Sequence, residues 1–170
     1  MALPPDRRRV EPSALVVPKS LVAVRVADAA GRERDVEVYV EDHETLQGSL
    51  LSRRFVPMRR HDESGKDLGI ELIARHALLW VRLDLLTALD EIDLDAEGSP
   101  EARTVQVRVR FEQSPPVDGI LRYLMPAGSR RLSDYLEALP GFFALRTPDH
   151  VYLIASDRVA SVEPLAEVIG

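Results

Sequence analysis

The chain has 170 residues, 45% of them apolar and 29% charged, the balance of an ordinary globular protein of one domain or two small ones. It holds no cysteine, which excludes disulfides, thiolate catalysis and cysteine-based zinc or iron–sulfur sites. A formal charge of −6 and a pI near 5.3 argue against binding driven by attraction to nucleic acid or to an anionic membrane.

Residues 1–20 carry Pro4, Pro5, Pro12 and Pro18 without a sustained period and read as a flexible N-terminal tail. The tail has a basic run but no apolar core of signal-peptide length, and no later window approaches the roughly 18 apolar residues of a membrane span. A cytoplasmic protein with no membrane partner is expected. "VAVRV" (Val22–Val26) and "VEVYV" (Val36–Val40) alternate at period two around Gly31, which predicts a hairpin. "TLQGSLL" (Thr45–Leu51), "LGIELIA" (Leu68–Ala74) and "ALLWVRL" (Ala77–Leu83) are expected as further strands, and "LLTALDEI" closes the first half.

The second half keeps step with the first. "VQVRVRF" (Val105–Phe111) repeats the pattern of "VEVYVED", and each is followed by a glycine and an apolar pair, Gly48 with Leu50 and Leu51, Gly119 with Ile120 and Leu121. "LWVRLDLLTALDE" (Leu79–Glu91) sets without a gap against "YLIASDRVASVEP" (Tyr152–Pro164). Ordered matches of this kind indicate internal duplication. The expected organisation is a tail (1–20), a first β-barrel unit (21–92), an acidic linker (93–103) and a second β-barrel unit (104–170). The short strands and regular turns make the fold class all-β with minor α, two tandem small SH3-like/Sm-like barrels by analogy.

In "RRLSDYLEALPG", Ser133 precedes acidic Asp134 and Glu137 and apolar Tyr135, Leu136 and Leu139, so it is expected to cap a two-turn helix ended by Pro140 and Gly141. A catalytic role would need a base, and the nearest histidine in sequence, His150, lies across a predicted strand. "RLSDYL", the aromatic "FFAL" and "VYLIASDRVASV" together resemble a small bacterial domain of unknown function whose stretch reads R-L-S-D-Y-L-N. The resemblance spans about Val105–Leu165. Glu137 stands at the usual asparagine, and the first half carries "RRFVPMRRHDESGKDLG" instead of the motif. It implies a barrel and a bacterial origin, and no activity or ligand.

His43, His61, His76 and His150 show no metal-ligand spacing on a predictable helix, so no metal or cofactor is expected. His76 and His150 fall at similar places before strands thought to correspond. Arg53, Arg54, Arg59 and Arg60, followed by "HDESGKDLG", are the candidate binding residues. PilZ-type cyclic-dinucleotide receptors join an R-x-x-x-R segment to a D/N-x-S-x-x-G turn, since arginine stacks on bases and forks to phosphates. Here Asp62 and Ser64 fit, but the glycines fall at Gly65 and Gly69 and the arginines are spaced differently. Few aromatics, 5% of the chain, leave few platforms for stacked bases. The reading is a non-enzymatic protein-interaction module, a regulator or scaffold of a cytoplasmic assembly with a protein partner and room for a homo-oligomer. The alternative is an anionic-nucleotide receptor.

Overall fold

The structure, a computed structural model, describes residues 19–92, 99–124, 131–139 and 141–167. Among them are ten strands, all antiparallel, in one sheet, with three short helices. The first half runs β1 (Lys19–Asp28), β2 (Glu33–Glu41), α1 (Leu46–Ser52), β3 (Phe55–His61), β4 (Asp67–Ala74), a 3₁₀ turn (Arg75–Ala77), β5 (Leu78–Asp84) and α2 (Leu85–Glu91). The second runs β6 (Arg103–Arg110), β7 (Val117–Tyr123), α3 (Leu132–Ala138), β8 (Phe142–Arg146), β9 (His150–Ala155), a 3₁₀ turn (Ser156–Arg158) and β10 (Ser161–Glu167). The all-β class with minor helix holds.

The sheet order is β10-β6-β7-β8-β9-β5-β1-β2-β3-β4. Each half therefore uses one internal order, fifth strand, first, second, third, fourth, and the halves join where β5 pairs with β9. No pairing among the described residues closes the sheet, which leaves β10 and β4 as its edges.

Alternation builds two cores. Val22, Val24 and Val26 of β1 and Val36, Val38 and Val40 of β2 are buried on one face with Val81 and Leu83 of β5. Across the junction, Val81 faces Leu153 and Leu83 faces Val151. Val151, Leu153 and Phe142 thus complete the first core from the second half. The intervening residues point the other way: Trp80 and Ile154 join Val107, Leu121, Phe143 and Leu145 in a second core. One sheet thus carries its two cores on opposite faces.

Two further contacts tie the halves. Gly31 turns the β1–β2 hairpin at φ 75°, and a Cβ there would overlap the carbonyl oxygen of Gln113 in the β6–β7 turn. The Arg158 guanidinium donates to the His76 carbonyl, linking the two 3₁₀ turns.

Several expectations need correction. Thr45–Leu51 is not a strand. The Thr45 hydroxyl accepts from the Gly48 N–H at 3.1 Å, and Leu46 and Leu50, one turn apart, both reach the core, so the segment is helix α1 with Thr45 as its cap. The Gly48 and Gly119 parallel fails for the same reason, because Gly48 is helical and Gly119 lies in β7. The gapless match of Leu79–Glu91 with Tyr152–Pro164 lays β5 on β9, strands that pair with each other, whereas the strand order makes β10 the counterpart of β5 and β9 that of β4. His76 and His150 accordingly do not fall at corresponding places. Strand β1 begins at Lys19, within the span 1–20 expected as tail; residues 1–18 and 93–98 lie outside the described residues.

Candidate functional site

The four arginines do not converge. Arg53 follows α1 and donates to Glu41 at 2.7 Å and Glu44 at 3.3 Å. Arg54 lies over the ring of its neighbour Phe55, 5.7 Å from the centroid. Arg59 and Arg60 stand at the far end of β3 and, as successive strand residues, point to opposite faces. Arg59 pairs with Asp67 at 3.0 Å, and Arg60 lies 3.5 Å from Glu71, which also holds Arg34 at 3.0 Å. Carboxylates of the same sheet thus engage Arg53, Arg59 and Arg60. Asp62 is occupied as well: it accepts from the N–H of Ser64 and of Lys66, both at 2.9 Å, and from the Ser64 hydroxyl at 2.6 Å, closing the β3–β4 turn.

Glu41, His43 and Glu44 bring three potential ligand atoms within 4.8 Å of one another at the β2–α1 turn. The Arg53 guanidinium already bridges the two carboxylates and offsets one of the two negative charges a cation would meet.

An open groove of about 690 Å³ crosses β1, β2 and β5, lined by Arg25, Asp35, Glu37, His61, Arg82, Asp84 and others. Arg25 grips Asp35 through two bonds of 2.7 and 2.6 Å, and His61 Nε2 lies 2.8 Å from Glu37. The Arg25 hydrogen bonds hold the Asp35 carboxyl below the usual carboxylate range, and the Thr87 N–H does the same for Asp84. These are settled anions, whereas a general acid at neutral pH needs its carboxyl pushed up. No serine, threonine, tyrosine or lysine lines the groove. Among the described residues it is a salt-bridged surface without a hydroxyl or amine nucleophile.

Ser133 is exposed in the first turn of α3; the cap position is Arg131, and no side chain bonds there. The cap expected at Ser133 thus falls two residues earlier.

Among the described residues, an apolar row lies exposed at one end of the sheet. On the β3–β4 hairpin, Phe55, Ile70 and Leu72 stand on the face away from the first core and are 50%, 64% and 65% exposed, with Leu68 beside them. Among the described residues β4 is also a sheet edge, with no strand paired to its outer backbone groups. Scattered exposed leucines are ordinary, but a run at alternate positions of an edge strand is a surface for addition. Comparison with protein-family models, with curated proteins and with solved structures finds no match for the chain.

The alternation of β4 was readable in "LGIELIA", but a strand apolar on both faces looks buried, and nothing local marks it as an edge. Val22-Ala-Val-Arg-Val26 and Val105-Gln-Val-Arg-Val109 match, and in each an aspartate, Asp35 or Asp118, sits opposite the arginine across the hairpin. Arg108 grips Asp118 at 2.7 and 2.6 Å, as Arg25 grips Asp35.

Proposed function

We propose that the chain is a non-enzymatic protein-interaction module, built of two SH3-like/Sm-like units related by duplication, which docks a protein through the outer face of its β3–β4 hairpin. The observation that carries the docking reading is the apolar row Phe55, Ile70 and Leu72 on an unpaired edge. The common strand order of the halves and their matching Arg–Asp pairs support the duplication. The resemblance of the second half to a small bacterial domain belongs to the same reading, as does a role as regulator or scaffold. The carboxylates on Arg53, Arg59 and Arg60 weigh against the nucleotide-receptor alternative.

The test is photo-crosslinking in the native cell. A photoreactive phenylalanine analogue in place of Leu72 should capture a protein adduct, while the same residue in place of exposed Glu112 should not. Equal capture at both positions, or none at position 72, defeats the docking reading.

A further inference from the structure

We propose that the partner on the hairpin face is a second copy of this chain, with β4 of one copy added to β10 of the next. This rests on the docking reading above and names its occupant. The template lies inside the molecule. At the junction of the halves, β9 pairs with β5, and the outer face of the β8–β9 hairpin, Phe142, Val151 and Leu153, is 3%, 4% and 0% exposed because it roofs the first core. By strand order, the counterpart of that hairpin in the first half is β3–β4, and the counterpart of β5 in the second half is β10. Among the described residues these are the two edges of the sheet without a strand partner. Phe55 sits opposite Ala74 as Phe142 sits opposite Ala155, so Phe55, Ile70 and Leu72 are the counterparts of Phe142, Val151 and Leu153. The same apolar row is buried in one half and bare in the other.

The receiving end shows the matching deficit. α1 packs against β8 and sinks Leu46 and Leu50 completely. Its counterpart α3 has no fully buried residue, and Leu132, Tyr135 and Leu136 lie on the second core only partly covered. A β3–β4 hairpin arriving from another copy would roof α3 as β8–β9 roofs α1.

The register follows from the template. Val81 pairs with Val26 next to Arg25, and Val162 pairs with Val109 next to Arg108, so Val162 takes the place of Val81. Val162 then meets Leu72 as Val81 meets Leu153, and Glu163 meets Glu71. Pro164 has no N–H and the β10 register slips beside it, so the new ladder is short, over Ser161–Glu163, and the apolar cover carries the contact. Unlike edges joined in this way make a head-to-tail contact, which closes into a ring or runs on as a filament.

The experiment is light scattering on the full chain from about 1 µM to about 1 mM, the span in which moderate contacts become half formed. The mass should rise from one chain to multiples of it. Ile70→Asp with Leu72→Asp, both exposed positions, should stay at one chain with unchanged melting. Glu163→Lys, which sets a cation opposite Glu71, should move association to severalfold lower concentration. The Ile70, Leu72 double variant still offers β10, so adding it to the wild-type chain should cap and shorten the assemblies. A wild-type chain that stays single over the whole range overturns the proposal. So does association that survives the double variant, or that ignores Glu163→Lys, as a symmetric β4–β4 contact would. If the chain stays single while position 72 captures a different protein, only the second-copy proposal falls and the docking reading stands.

Discussion

A hydroxyl caps a helix only from the residue whose backbone leaves the helix, and that geometry separates Thr45 from Ser133. Thr45 is extended, at φ −90° and ψ 161°, and its oxygen receives the Gly48 N–H, whereas Ser133 is already helical. Thr45→Ala should cost about 1 kcal/mol, while Ser133→Ala should change little. Urea melts of both variants check the contrast, and equal losses would contradict it. In the sequence, Ser133 was the more persuasive cap because acidic residues follow it. Thr45 is harder to recognise as a cap because Gly48 and Ser49 interrupt the apolar run, and a helix of two turns shows too few core positions to declare its period.

The elements with one wet face were legible, and those at the junction were not. β1 and β2 alternate because one side of each meets the first core, so period two appears directly in the residues. β5 reads "LLWVRLD" and buries Leu78, Leu79, Trp80 and Val81 in succession because each face meets a different core, and with no alternation left a one-place or one-strand slip costs nothing in pattern. The fixed points are the cross-strand pairs Arg25–Asp35 and Arg108–Asp118, one on each first hairpin. Hydrogen bonds from the arginines hold both carboxyls below their usual range. A carboxyl depressed by folding stabilises the hairpin above its ordinary value, about pH 4, and loses that contribution as pH falls towards the lowered value. Both pairs are well exposed, so the effect is modest. The difference in urea midpoint between neutral and acid solution should shrink in the Asp35→Asn, Asp118→Asn double variant; an unchanged difference would deny the pairs any part in acid sensitivity.

For the whole molecule, the shared roof decides how the halves depend on each other. The first core lacks Phe142, Val151 and Leu153 without the second half, and the second lacks Trp80 without the first. A fragment of residues 1–92 should melt without a cooperative transition and show the emission of a solvated indole, since Trp80 is the only tryptophan. Adding residues 93–170 should restore both. A cooperative melt with a buried Trp80 in the fragment alone would show the first half to be self-sufficient. The sharing of core residues between the halves was not legible in the sequence, because it depends on which edge meets which. Among the described residues no helix is long and apolar enough to cross a membrane. The same sharing imposes an order in time. Synthesis proceeds from the N-terminus at about 5–20 residues per second, so the strands of the first half leave the ribosome several seconds before Leu153 does. During that interval their valines wait without a cover, and the nascent chain is a client for any chaperone that reads bare apolar strand.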